Sequence, residues 1–262
     1  MTGRVEGRSI IVTGAASGMG AALAKRVGEE GAAVTVADLD IAAAQRVAAE
    51  ITGEGGRAVA QQVDVSKRDL VRAMVSAAVD AFGGVDVIFN NAGFNRPMHL
   101  LDVTEENWRS IMDVNALGVL LCTQEAARQM IKQGRGGKIV NTTSIAGRQG
   151  YPSFAPYCAS KFAVIALTQA TARGLAEHDI TANAFAPGVV STPLWERLDE
   201  DLRKIGDASE PGQAMADFAS TIIKGRPAEA ADITGTALYL ASADSDYMTG
   251  QVMMIDGGMV LV

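Results

Sequence analysis

The 262-residue chain predicts an α/β fold: a doubly wound parallel sheet of about seven strands with helices on both faces. Three observations carry this. Short apolar and β-branched runs alternate with stretches of helical length from one end of the chain to the other. The first run, SIIVTG, opens directly into a glycine-rich turn and a helix, AASGMGAALAKRVGEEG. Polar and glycine-bearing motifs then recur just past the ends of the runs, at the carboxyl edge of the sheet, where such folds bind ligands.

In the first unit Gly14, Gly18 and Gly20 have the spacing GxxxGxG. Glycine admits positive φ and lets backbone N–H groups approach a pyrophosphate, which the positive end of the helix dipole then stabilises. The second strand, AAVTVADLD, ends at Asp38, 24 residues after Gly14. A carboxylate there can accept both hydroxyls of an adenosine ribose and would repel a 2′-phosphate. Ala15, Ala16, Ser17 and Leu39 supply no base beside it, so NAD is expected rather than NADP. Asp38 can also cap the helix that starts near Ile41.

A helix over 41–51 and a strand over 57–63 lead to Asp64 and Val65. Asp64 can bond an adenine amino group or cap the next helix, 67–82. The fourth strand, VDVIFNNAG, runs into Asn90, Asn91, Ala92 and Gly93, a set suited to a bracing turn beside a cofactor. Residues 104–130 read as one helix with Asn115 in its middle, where Asn costs several tenths of a kcal/mol relative to Ala. Among apolar neighbours it needs hydrogen-bond partners, so a functional role or a water-holding kink is expected.

The fifth strand, GGKIVNTTS, leads to Ser144, and a helix over 156–178 carries Tyr157 and Lys161 one turn apart on the same side. A free phenol titrates near ~10, and bringing it to neutrality takes a shift of roughly three units, about 4 kcal/mol. A close ammonium and a second cation, oxidised nicotinamide, can supply this together. The Ser144 hydroxyl can donate to a substrate oxygen or to the phenolate. On the opposite side of that helix Ala159, Ala163, Ala166, Ala170 and Gly174 form a narrow stripe, which predicts a homo-oligomer interface.

After the sixth strand, DITANAFAP, the run PGVVSTPLW places Pro187, Gly188 and Thr192 where they can hold a nicotinamide carboxamide. Residues 194–226, with seven acids, five bases and breaks at Gly206, Pro211 and Gly212, read as a substrate lid of one or two helices. A helix, AADITGTALYLAS, and a strand, QVMMID, close the sheet, giving a single domain over 1–262.

The net charge of -7 argues against nucleic acid or an anionic membrane as partner. Cys122 and Cys158 form no CxxC pair, and His99 and His178 stand apart from any ligand cluster, so no metal site is expected. The first residues do not read as a signal peptide, and no apolar run approaches the ~20 residues of a membrane span. A cytoplasmic protein is expected.

Taken together, TGAASGMG, Asp38, NNAG, Asn115, Ser144, YCASK and PGVVSTP resemble the short-chain dehydrogenase/reductase family over essentially the full length. The resemblance implies a Rossmann-type sheet and a catalytic set of Asn115, Ser144, Tyr157 and Lys161. Tyr157 would be the acid/base, and Lys161 would lower its pKa and bind the nicotinamide ribose. Ser144 would orient the substrate oxygen, and Asn115 would hold the water through which the proton reaches solvent. Gly14, Ser17, Gly18, Met19 and Gly20 would surround the pyrophosphate, Asp38 the ribose, and Asp64 and Val65 the adenine. Asn91, Ala92 and Gly93 would lie on the nicotinamide side, with Pro187, Gly188, Val190 and Thr192 at the carboxamide.

Within the family the chain looks most like NAD-dependent polyol, diol and sugar-alcohol dehydrogenases, and a homotetramer is the common state. Ile145 stands where acetoin and butanediol enzymes commonly carry Gln. The expected substrate pocket comprises Asn95, Ile145, Ala146, Gln149, Tyr151, Gly188 and Trp195. Two other readings share the motifs: a 3-oxoacyl carrier-protein reductase, docking its carrier on Arg128, Lys132, Arg135 and Lys138, and a non-catalytic NAD-sensing module.

Overall fold

In chain order the first half gives β1 (Ser9–Thr13), α1 (Gly18–Glu29), β2 (Ala33–Asp38), α2 (Ile41–Gly53), β3 (Arg57–Gln62), α3 (Arg68–Phe82) and β4 (Val87–Asn90). The second gives α4 (Glu105–Met112), α5 (Gly118–Gln133), β5 (Gly137–Thr142), α6 (Ala155–Gly174), β6 (Ile180–Pro187), α7 (Pro193–Lys204), α8 (Gln213–Ala219), α9 (Ala230–Ala241) and β7 (Val252–Ile255). These come from a computed structural model that describes residues 3–261. The strands form one seven-stranded sheet in the order β3-β2-β1-β4-β5-β6-β7. Every pairing is parallel.

Helices on both faces make the inner strands apolar along their whole length, because neither side of a parallel sheet meets water. Strands β1 and β4 are buried at every position, whereas the edge strands β3 and β7 are largely half-buried. Alternation sorts the side chains: Ile10 and Val12 join Leu23, Val27, Val47 and Leu238 on one face, and Ile11 joins Met74, Leu121 and Met130 on the other. Each large side chain removed from water contributes ~1.5–3 kcal/mol.

A third apolar cluster lies outside the sheet. Leu198 and Leu202 of α7 and Ala214 of α8 pack on Phe154 and Cys158 at the start of α6. Phe218 sits at its centre, with ring centroids 5.4 Å from Trp195 and 5.8 Å from both Tyr151 and Phe154. Asp199, buried in α7, accepts from the N–H groups of Gly212 and Ala214 at 2.8 and 3.1 Å and so fixes the start of α8. The segment expected as a lid is therefore a pair of helices, broken where Gly206 and Gly212 take φ of 85° and 81°.

Two elements differ from expectation. The single helix expected over 104–130 is interrupted by a π-helical turn, Asp113–Leu117. The helix expected to reach 178 ends at Gly174 and continues as a 3-10 turn, Ala176–His178, because Asp179 takes a left-handed φ of 55° and turns the chain into β6. Among the described residues no helix is long and apolar enough to cross a membrane, and no group of three or more His, Cys, Asp or Glu could hold a metal ion.

Candidate active site

The strand order reverses between β1 and β4, which opens a crevice at the carboxyl edge of the sheet. A cavity of about 430 Å³ lies there, and Gly14, Ser17, Gly18, Met19 and Gly20 form its floor at the β1–α1 turn. The spacing of these glycines has a steric cause. A Cβ on Gly14, whose φ is 66°, would stand 2.8 Å from Ala92 Cα, and one on Gly20 would stand 2.0 Å from the Gly14 carbonyl oxygen. Ser17 makes no side-chain cap on α1, and the first turn of that helix carries no acid. Its N–H groups and dipole are thus directed at the cavity, as a pyrophosphate requires.

Asp38 lines the same cavity at the end of β2. Its carboxylate accepts from the N–H groups of Ala16 at 2.9 Å and Asp40 at 3.1 Å. The helix cap is Asp40, which accepts from Ala43 N at 3.0 Å; the capping role open to Asp38 in the sequence falls to its neighbour. Asp64 bonds both the N–H and the hydroxyl of Ser66, and α3 begins after Lys67 without a side-chain cap. Asp64 and Val65 therefore remain on the cavity wall, joined by Val63 and Leu39. Leu39 is 66% exposed there.

Asn91 braces the floor. Its Nδ2 donates to the carbonyls of Thr13 at 3.0 Å and Gly14 at 3.3 Å, tying the end of β4 to the end of β1. Ala92 and Gly93 continue the wall. On the far side Pro187 ends β6, and Gly188 is held so close to β7 that a Cβ would meet Asp256 Cα at 2.9 Å. Val190 pairs with Ala228, and Thr192 Oγ1 donates to the Val190 carbonyl at 3.3 Å. All four line the cavity.

Ser144, Tyr157 and Lys161 also meet at this cavity. Ser144 follows β5, is buried, and accepts from Ala146 N at 3.2 Å. Burial pushes the Tyr157 phenol up to about 12, against the pull of a hydrogen bond with Ser144. Lys161 is buried, donates to the Thr142 carbonyl at 3.0 Å and lies 5.5 Å from the Tyr157 ring centre. Burial pushes its ammonium down to about 8. Loss of hydration thus shifts both groups toward their neutral forms in the free protein.

The π-helical turn explains Asn115. A π-turn opens the helix by one residue, often at functional sites, and here it turns the amide toward the loop after β4. Asn115 Oδ1 accepts from Phe94 N at 3.0 Å, and Nδ2 donates to Phe94 O at 2.9 Å and Ser160 Oγ at 3.1 Å. Ser160 in turn donates to the Tyr157 carbonyl at 2.7 Å. The point a Gly93 Cβ would occupy lies 3.1 Å from Asn115 Oδ1 and 3.5 Å from Lys161 Nζ. A side chain there would crowd both groups, and glycine avoids this.

The expected substrate pocket is only partly assembled. Trp195 lines the cavity, with Phe94, Leu194 and Pro193, which the sequence reading did not name. Ile145 and Ala146 turn inward in a 3-10 turn beneath Ser144 and are buried. Gln149 is exposed and donates to Tyr151 Oη at 2.7 Å, while Tyr151 packs on Phe218. Asn95 is off the wall, with its Oδ1 buried and unpartnered. Local sequence does not say which way a loop residue turns, and the apolar ones here join the core.

A doubly wound sheet with a glycine cradle, a carboxylate at the end of β2 and a Ser, Tyr and Lys set on one cavity is the architecture of a nucleotide-dependent oxidoreductase. A model of the short chain dehydrogenase family matches residues 8–203. The chain is 40% identical over 253 residues to a diacetyl reductase [(S)-acetoin forming] of Staphylococcus epidermidis, covering 97% of this chain and 98% of the relative. It is 40% identical over 255 residues to a galactitol 2-dehydrogenase of Agrobacterium fabrum, with the same coverage. A solved short-chain type dehydrogenase/reductase from Mycobacterium marinum matches at a TM-score of 0.90 and 38% identity, over 98% of this chain and 97% of that one. The chain belongs to the short-chain dehydrogenase family and is an oxidoreductase acting on CH–OH groups with a nicotinamide cofactor. The diacetyl reductase and the galactitol 2-dehydrogenase stand at equal identity to the chain.

Proposed function

We propose that this enzyme interconverts a secondary alcohol and its ketone using NAD, with a polyol, diol or sugar alcohol as substrate. The observation that carries the reading is the convergence of Ser144, Tyr157 and Lys161 on one cavity with the glycine cradle and Asp38. The cradle fits a dinucleotide: donors without caps face the pyrophosphate position, and Asp38 is left clear of helix capping. Gly14, Ser17, Gly18, Met19 and Gly20 would hold the pyrophosphate, Asp38 the ribose, and Asp64 and Val65 the adenine. Asn91, Ala92 and Gly93 would lie along the nicotinamide ribose, and Pro187, Gly188, Val190 and Thr192 at the carboxamide.

In the oxidative direction Tyr157 takes the hydroxyl proton while Ser144 holds the oxygen in place. Lys161 supports the phenolate. Asn115, with Lys161 nearby, would hold the water through which the proton leaves. The nicotinamide's contribution, when bound, is a hydride acceptor at the carbinol carbon and a positive charge near the phenol. Trp195 and Phe94 give the substrate an apolar wall, with Asn95, Ile145, Ala146, Gln149 and Tyr151 behind it.

The test is NADH formation with a panel of vicinal diols, pentitols and hexitols at mildly alkaline pH. Turnover with NAD should exceed that with NADP by at least ~10-fold, since a 2′-phosphate beside Asp38 meets like charge. Better turnover with NADP would refute the Asp38 assignment. The carrier-protein reductase reading has the weaker support: three of its four docking bases already hold acids, although Arg128, Arg135 and Lys132 are exposed. Arg128 bonds Glu125 at 2.6 Å, Arg135 bonds Asp86 at 2.7 Å, and buried Lys138 pairs with Asp246 at 2.7 Å. The complete Ser, Tyr, Lys and Asn set speaks against a non-catalytic sensor.

We infer a homotetramer. Ala166, Ala170 and Gly174 are exposed on α6, and Phe162 beside them is 47% exposed. Small residues permit close helix packing, and an apolar stripe of this kind is better covered by another copy than by water. Light scattering should give about four times the 27.3 kDa chain mass, and a monomeric mass would remove this part of the reading. A cytoplasmic location fits a nicotinamide enzyme whose two cysteines are both free and buried.

A further inference from the structure

Helices α7 and α8 reach the cavity only at their leading end, through Pro193, Leu194 and Trp195. At the far end of α7 the chain makes a polar contact that the sequence motifs do not account for. The Asp207 carboxylate accepts from Ser153 Oγ at 2.6 Å and stands 2.9 Å from His99 Nε2. Ser153 lies in the loop that leads into α6, and His99 in the loop after β4 that also carries Phe94 and Asn95. Those two loops are themselves joined by a bond from Met98 N to the Ser153 carbonyl at 2.9 Å. Three segments far apart in sequence, each framing Tyr157, thus meet at one carboxylate.

Ser153 marks this contact as more than surface decoration. It is buried and holds a φ of 61°, a left-handed conformation that a non-glycine residue keeps only where its surroundings impose it. The Ser153 bond, and then His99, hold the Asp207 carboxyl below its ordinary range, so it is ionised and the contact is charge-assisted. The groups facing His99 are Asp207 on the lid and Asp102 on its own loop, 3.8 Å from Nδ1.

We infer that Asp207 is a positioning residue that fastens the α7–α8 lid to the two loops beside Tyr157, and through Trp195 sets affinity for the alcohol. The apolar cluster around Phe218 seats the lid; Asp207 fixes its angle. This rests on the lid covering the substrate, as in the proposed function, and its test has one arm that needs no substrate.

In the full-length protein, Asp207→Asn should speed hydrogen exchange over residues 193–219 by about 10-fold, with β5 and α6 unchanged. With a vicinal diol or hexitol from the panel, KM should rise about 5–10-fold while kcat and NADH affinity stay within about twofold. Ser153→Ala should reproduce a smaller part of both effects and add nothing to Asp207→Asn, as expected of partners in one contact. Unchanged exchange over 193–219 would overturn the inference whatever the substrate proves to be. A joint loss of kcat, KM, NADH affinity and thermal midpoint would overturn it as well, by making Asp207 merely structural. Failure of every alcohol in the panel, with faster exchange in the variant, would leave the fastening standing and count against the substrate class alone.

Discussion

Replacing Tyr157 with Phe should lower alcohol oxidation by about 10³-fold, the middle of the range for removing a general acid/base. The ring, its packing and its volume are kept; only the hydroxyl goes. Cofactor affinity should hold within about twofold, and stability should change by no more than about 1 kcal/mol, since one hydrogen bond with Ser144 is exchanged for relief of a buried polar group. In the protein alone burial holds the phenol at about 12. Because oxidation needs the phenolate, the wild-type rate should rise with pH as that form is populated, and the residual rate of the variant should not. Stopped-flow NADH formation across pH measures both. A variant that retains more than about a tenth of the wild-type rate would remove Tyr157 from its assigned place.

Lys161→Met should do two opposite things, abolishing most of the activity while making the free protein more stable. The ammonium is buried, and its pKa falls from 10.5 to about 8 because hydration is lost. About 2.5 units at 1.36 kcal/mol each bounds the cost of holding it charged near ~3 kcal/mol. Loss of the bond to the Thr142 carbonyl offsets about 1 kcal/mol of this. Met has nearly the same length and no charge, so a gain of ~1–2 kcal/mol at pH 7 is expected. The sign can be followed with pH. Below about 8 both folded and unfolded wild-type chains carry the proton and the full cost persists. Between about 8 and 10.5 the unfolded chain binds more protons than the folded one, so wild-type stability rises with pH and the variant's advantage closes. Urea unfolding at pH 7 and pH 9.5 reads this difference; a variant less stable at pH 7, or an advantage that grows with pH, would refute it.

Much of this architecture was legible in the sequence because its signals are local and repeated. The alternation of strand and helix runs, Gly14 and Gly20 at positions where a Cβ would collide, and Tyr157 and Lys161 one turn apart are all short-range patterns. Asp38 and Asp40 show where legibility stops. Either carboxylate can cap a helix beginning at Ile41, and only the path of the chain shows that Asp40 does. The turn after Ser144 fails differently: Ile145 and Ala146 lie beside the Ser144 hydroxyl in sequence yet are buried in the core. Contacts between distant segments leave no pattern at all, and so the meeting of Asp207 with Ser153 and His99 had no trace in composition or spacing.

The π-helical turn at Asp113–Leu117 separates two things that most helices must settle together. In a regular helix the direction of every side chain is set by its count from the last, so a residue aimed at a ligand takes its bearing from those aimed at the core. One extra residue, absorbed within a single turn, frees Asn115 from that count. Ile111 before it and Leu121, Ala126 and Met130 after it all face the interior, while Asn115 is turned toward Phe94 and Ser160. That one extra residue joins the helix to the loop after β4 and, through Ser160, to the Tyr157 carbonyl.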